Sequence, residues 1–159
     1  MILENIILMT TVTIVIASLV LFIPKEKVRD ACLIFLFKQG LTWIIGLYVV
    51  QKGWIEYPIR LVFEKATSTS FIFEFLAYPA ICVFFNLNYP QKSTPFVKVM
   101  YYCLIVSVIT AFEAFLESHT LLIKYTGWTW YWTWLTLFAT FYASRKFYLW
   151  FFKKLLSTR

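Results

Sequence analysis

The stretch IILMTTVTIVIASLVLFI, residues 6–23, carries no charged side chain at any of its eighteen positions. A helix needs about 20 predominantly apolar residues to cross the hydrocarbon core of a bilayer, so a run of this length is typical of a membrane span. Only Glu4 precedes it as a charge, and Pro24 and Lys25 follow it where a cleavage site would need small residues. We therefore expect a retained first span and not a signal peptide.

The composition of the whole chain agrees with this class. Of its 159 residues, 61% are hydrophobic, 21% are aromatic and 14% are charged. Soluble domains carry about 25% charged residues, so this chain lacks the polar groups needed to cover a water-exposed surface. The sequence predicts an integral membrane protein with a single transmembrane domain over residues 1–159.

Hydropathy divides the domain into five apolar segments. They cover approximately residues 3–23, 31–51, 71–88, 97–118 and 129–151. Continuous apolar runs favour helices, because the strands of a membrane barrel would alternate in polarity over about ten residues. The predicted fold class is an all-α membrane protein, a polytopic bundle of about five transmembrane helices.

The loop between the second and third segments is too long to be a simple turn. Pro58 can open a short helix on which Ile59, Val62 and Phe63 share one face. We expect a short amphipathic interfacial segment here. It could serve as a lid over the outer leaflet or as a membrane-surface anchor, and the sequence is consistent with both.

The distribution of Lys and Arg predicts the orientation. Ten of the fifteen lie in the first loop, the third loop and the C-terminal end, four lie in the other loops, and Lys38 lies inside a span. By the positive-inside rule the N-terminus is outside and the C-terminus is cytoplasmic. The net charge of +7 then indicates contact with anionic lipid headgroups and does not indicate nucleic-acid binding.

Four ionisable side chains lie inside the predicted spans: Lys38, Glu74, Glu113 and Glu117. A charge at membrane depth costs a few kcal/mol even on lenient scales, so such residues usually face the protein interior and mark functional sites. The predicted topology gathers the three glutamates near the outer face and leaves Lys38 deeper. Glu74 and Glu117 could also lie at the wet interface.

Small and polar residues follow a helical repeat in two spans. They are Cys103, Ser107, Thr110, Ala114 and Glu117 in the fourth span, and Thr129, Thr133, Thr136, Thr140 and Ala143 in the fifth. Close helix packing and a polar pathway both explain such stripes. Combined with the buried charges, they predict a carboxylate-lined polar cavity. The candidate ligand-binding residues are Lys38, Glu74, Thr110, Glu113, Glu117 and Thr133.

Motifs for other chemistry are absent from the sequence. His119 is the only histidine, the three cysteines are widely separated, and the chain has four glycines. We therefore expect no cofactor, no metal site and no catalytic motif.

Three functions stay open on these grounds. The first is binding or transport of a cation, a proton, or a small polar or lipid molecule. The second is a structural or assembly subunit of a membrane complex. The third is a lipid-active enzyme in which Glu113 acts as general acid or base beside Glu117 or His119. The expected partners are membrane lipids and either a second copy of the chain or another membrane protein.

Seven parts of the chain carry a recognisable pattern: residues 29–31, 37–43, 56–58, 69–71 with 74–75, 78–86, 123–125 and 130–134. Together they resemble an uncharacterised family of small multi-pass membrane proteins from spore-forming bacilli and clostridia. The resemblance covers nearly the full chain. It implies a helical fold in a bacterial cell membrane or spore membrane, and it carries over no catalytic residue.

Overall fold

The computed structural model describes residues 2–63 and 65–157, with side chains up to residue 152. The helices are α1 (Ile2–Phe22), α2 (Val28–Gln51), α3 (Tyr78–Leu87), α4 (Pro95–His119) and α5 (Trp130–Ser157). A 3-10 turn, Lys25–Lys27, leads into α2, and a π-helical segment, Phe71–Ala77, continues into α3. The all-α prediction is confirmed, and the apolar segments coincide with the helices to within a few residues.

Within the described part of the chain, three helical segments are long and apolar enough to cross a membrane. They are Ile2–Phe22, Lys25–Gln51 and Pro95–His119, and the apolar helix Phe71–Leu87 is shorter. The remaining helix, α5, is 28 residues long but is rich in tryptophan, tyrosine and threonine. These lengths and compositions are compatible with a membrane location.

The helices pack into one bundle with an apolar core. Helix α2 packs against α3 and α5, α4 packs against α5, and α1 meets the bundle at the π-helical segment. Ile34, Val83, Val106 and Phe141 are fully buried where these helices meet. Much of α1 keeps its apolar side chains exposed, as a helix surrounded by hydrocarbon would.

Pro79 explains the π-helical segment before α3. Proline has no N–H, so a carbonyl one turn earlier loses its helical donor. Two side chains of α2 supply donors instead: Thr42 Oγ1 donates to the Glu74 carbonyl at 2.8 Å and Gln39 Nε2 to the Phe75 carbonyl at 3.0 Å. In membrane proteins, neighbouring helices supply hydrogen bonds to the freed backbone groups of an interrupted helix in this way. Here the two contacts hold the π-helical segment against α2.

A small ribbon joins two loops at one end of the bundle. Strand β1 (Ile55–Glu56) pairs antiparallel with β2 (Lys124–Tyr125), and Ile55 lies opposite Tyr125. The loop between α2 and the π-helical segment therefore lies at the same end as the loop between α4 and α5.

The amphipathic helix predicted from Pro58 is wrong. The described residues of 58–70 form turns, bends and irregular backbone, and Glu64 lies outside the described residues. Phe63 has a φ of 57°, which a right-handed helix does not accommodate. Tyr57 is buried, and Arg60 Nη1 donates to its carbonyl at 2.7 Å. Local contacts therefore determine the conformation of this loop, and the helical periodicity of its sequence does not.

The contact between Thr42 and the Glu74 carbonyl predicts a stability effect. We expect Thr42→Val to lower the free energy of unfolding by about 1–3 kcal/mol, because it leaves a buried carbonyl without a donor. Thermal unfolding followed by circular dichroism in detergent micelles measures the change.

Two further variants control this experiment. Thr13→Val removes an exposed hydroxyl that donates only to its own helix, and should leave stability nearly unchanged. Pro79→Ala, added to Thr42→Val, restores an N–H near the orphaned carbonyl and should recover part of the loss. Equal effects of Thr42→Val and Thr13→Val would show that the carbonyl contact does not matter.

Candidate functional site

Glu74 and Glu113 line the same cavity inside the bundle. The cavity has a volume of about 60 Å³, enough for a small number of water molecules. Its lining includes Thr42 and Gly46 of α2 and three threonines of α5, at positions 133, 136 and 140. Ile55, Tyr57 and Trp128 line it from the loops at the ribbon end.

Glu113 of α4 accepts hydrogen bonds from three hydroxyl groups. Tyr78 donates to Oε2, while Tyr125 and Thr133 donate to Oε1 at 2.6 and 2.8 Å. The Trp128 indole N–H donates to Thr133 Oγ1 at 2.8 Å and completes the network. An ionised carboxylate only accepts hydrogen bonds, so these donors suit its charged form. They come from α3, β2 and α5, which Glu113 thereby holds together.

Glu74 has a sparser environment. Tyr57 donates to its Oε1 at 2.9 Å, and within the described residues its Oε2 accepts no hydrogen bond. The side chain lies against the backbone of α2 at Gly46, where an added Cβ would stand 2.9 Å from Glu74 Cδ. Glu74 therefore lines the cavity with one oxygen held by Tyr57 and with capacity to accept further hydrogen bonds.

The tyrosines outside the helices stay protonated as donors. Burial, followed by the nearby Glu74 carboxylate, raises the pKa of Tyr57 well above its ordinary value. Burial and the Glu113 carboxylate raise the pKa of Tyr125 in the same way. Both effects disfavour a second negative charge beside a carboxylate, so each hydroxyl keeps its proton at neutral pH.

Lys38 lies deeper in the bundle and is 0% exposed. Its ammonium donates to Thr140 Oγ1 and lies 4.4 Å from the centroid of the Phe141 ring. Among the described residues, its hydrogen-bond partner is therefore a hydroxyl on α5, and not a glutamate. Thr140 also lines the cavity, so Lys38 reaches the cavity through this threonine.

The structure brings together some of the predicted site residues. Glu74, Glu113 and Thr133 line the cavity, and Lys38 contacts it through Thr140. Glu117 is half-buried and lies outside the lining. It follows Glu113 by one helical turn, which moves it about 6 Å along α4. Thr110 is buried outside the lining, and its hydroxyl has no hydrogen-bond partner in the described residues.

Sequence reasoning missed the tyrosines and Gly46. Tyr57 and Tyr125 lie in loops, where aromatic residues are expected at a membrane surface, and only the ribbon turns them inward. Tyr78 carried a usable signal, because a hydroxyl inside a span must find a partner. Gly46 is one of four glycines, and nothing in the sequence links it to Glu74.

Comparisons of the chain with protein-family models, with curated proteins and with solved structures find no match. The case for function therefore depends on the site itself.

The close approach of Gly46 and Glu74 predicts the effect of a single methyl group. Gly46→Ala should displace the Glu74 side chain and break its bond to Tyr57, lowering the free energy of unfolding by about 1–3 kcal/mol through overpacking. Thermal unfolding in detergent micelles checks this expectation.

Gly40→Ala is the matched control on the same helix. An added Cβ at Gly40 meets nothing within 4 Å, so this variant should be neutral or more stable by about 0.5–1 kcal/mol, the usual helix preference for alanine. Equal changes in the free energy of unfolding would show that the packing of the Glu74 side chain does not require a glycine at position 46.

Proposed function

We propose that this chain is a polytopic membrane protein that binds a proton or a small monovalent cation between Glu74 and Glu113. The proposal includes five spans, an external N-terminus and a cytoplasmic C-terminus, in a bacterial cell membrane or spore membrane as the family resemblance implies. The ribbon supports this topology, because it joins two loops that an alternating five-span path puts on one side. The cavity then opens toward the outer leaflet.

The observation that carries the proposal is the sparse hydrogen bonding of the Glu74 carboxylate, which lines the cavity. Oε2 of Glu74 accepts no hydrogen bond from the described residues, while the cavity beside it measures about 60 Å³. A buried carboxylate oxygen gains from a proton or a cation. A space of this size admits a small ion with a small number of waters.

The charges around the cavity point to a monovalent ligand. Glu74 and Glu113 contribute two formal negative charges, and Lys38 contributes one positive charge that acts on Glu74. One further positive charge neutralises this buried cluster, and low polarity around it makes neutrality favourable.

Two buried cations favour binding over passage through the bundle. Beyond the cavity the interior contains Lys38 and then Arg145, which donates to the Asn86 carbonyl at 3.2 Å. A cation moving toward the cytoplasmic end would meet both positive charges in a medium of low polarity. The proposed role is therefore an ion-dependent or proton-dependent binding protein and not a channel.

A structural or assembly subunit is a second candidate. Three segments donate hydroxyl groups to Glu113, as expected if this carboxylate mainly joins helices. On this alternative, Glu74→Gln and Glu113→Gln lower thermal stability equally and no ligand-dependent signal exists.

The proposed orientation predicts which loops are accessible in intact cells. Lys124→Cys, in the loop before α5, should react with a membrane-impermeant maleimide from outside, while Lys92→Cys should react only after the cells are opened. Cys32 and Cys103 are replaced by alanine for this test, and the fully buried Cys82 is kept. The reverse labelling pattern would contradict the orientation, and equal labelling in intact cells would contradict a membrane crossing by α4.

The proposed ligand predicts an infrared signal from Glu74. Purified protein in nanodiscs is exchanged between choline chloride and sodium chloride at fixed pH, and between two pH values at fixed salt. We expect a difference band in the carboxyl or carboxylate region in one of these exchanges, since the ligand changes the state of a buried carboxylate. The exchange that produces it identifies a cation or a proton.

The matched variants are Glu74→Gln and Glu117→Gln. Glu74→Gln should remove the band, whereas Glu117→Gln should keep it, because Glu117 lies outside the cavity lining. A band that survives Glu74→Gln, or no band in either exchange, would overturn the proposed function.

A further inference from the structure

Glu113 and Tyr78 also border a second space on the outer side of the bundle. An apolar groove of about 360 Å³ runs between α1, α3 and α4, and these two residues are part of its lining. The same pair therefore separates the polar cavity from an apolar groove. Its walls include Ile14, Val15, Ala80, Phe84, Ile109 and Phe112.

We infer that this groove binds the chain of a neutral single-chain lipid whose terminal hydroxyl reaches Glu113 and Tyr78. A long-chain alcohol is the simplest member of this class. The inference rests on the proposed membrane placement, but it does not depend on ion binding at Glu74.

The walls of the groove explain why a hydrocarbon chain fits. Ile14, Val108 and Phe112 line it and are 59%, 60% and 53% exposed, so the groove faces the surroundings that the proposal assigns to lipid. An empty groove forfeits dispersion contacts along its whole lining. A flexible methylene chain restores those contacts.

The position of Glu113 in the groove lining explains why the headgroup is neutral and small. Glu113 lies six residues before the end of α4 at His119, a rise of about 9 Å along the helix. Charged groups are unfavourable at that depth. The polar residues in the lining are Thr11, Ser18, Tyr78 and Glu113, which include a carboxylate and no cation, so an anionic headgroup would be repelled.

Glu113 can still accept a hydrogen bond, and a lipid hydroxyl group can donate it. Among the described residues, Oε2 of Glu113 accepts a single hydrogen bond, from Tyr78, and a carboxylate oxygen can accept a second. The lipid hydroxyl would donate to this oxygen. An ester or an ether has no proton to donate, so such lipids should bind less well.

The test uses a photoreactive hexadecanol with a diazirine on its chain, added to the full chain in nanodiscs. Labelled residues are mapped by mass spectrometry, and we expect them on α1, α3 and α4. Ser18→Trp fills the groove and should reduce labelling about tenfold, the effect of roughly 1.4 kcal/mol of lost binding free energy. Ala17→Trp is the matched control, because Ala17 is exposed and outside the groove lining.

Headgroup preference is measured with photoreactive palmitate of the same chain length. The alcohol should label the groove more strongly than palmitate, and Glu113→Gln should narrow the difference because it removes the repelling charge. Ile14→Trp, at an exposed position of the lining, repeats the blocking test with a second variant whose folding is checked by thermal unfolding.

Two results would overturn the inference. The first is labelling that Ser18→Trp and Ile14→Trp leave unchanged, and the second is labelling by palmitate that equals labelling by the alcohol. Glu74→Gln should leave the labelling intact, since Glu74 is outside the groove lining. Failure of the lipid proposal is thus distinguishable from failure of the ion proposal.

Discussion

A carboxylate buried among apolar helices must find its hydrogen-bond donors inside the protein, and Glu113 takes them from three other segments. Tyr78, Tyr125 and Thr133 connect α3, the ribbon and α5 to α4 through this side chain. In the proposed membrane placement, hydrophobicity does not by itself select which helices meet, because lipid tails are as apolar as leucine. These polar contacts therefore specify how the helices are arranged.

The interruption of the helix before Pro79 positions the other buried carboxylate, Glu74. The carbonyls of Glu74 and Phe75 accept donors from Thr42 and Gln39 of α2, which draws the π-helical segment against that helix. Gly46, on the same helix, leaves room for the Glu74 side chain. The backbone defect and the glycine together bring Glu74 to the cavity, where one of its oxygens accepts a hydrogen bond from Tyr57.

The two proposed binding sites share two lining residues. Glu113 and Tyr78 border the polar cavity on one side and the apolar groove on the other. A small ion on the inner side and a lipid hydroxyl on the outer side would act on the same carboxylate. The two sites remain separable, because Glu74 lines the cavity and is outside the groove lining.

The sequence by itself determined the helical segments and the residues that are unusual within them. The length of each apolar run reveals a helix, and Lys38, Glu74 and Glu113 are conspicuous because charge is expensive in an apolar run. Which residues meet was decided by the tertiary structure. Tyr57 and Tyr125 reach the carboxylates only because β1 pairs with β2, and Thr140 becomes the partner of Lys38 only because α2 packs on α5. Glu117 shares a helix with Glu113 but lies one turn beyond the cavity. Helical periodicity assigns residues to faces, whereas the distance between two faces depends on how separate helices pack.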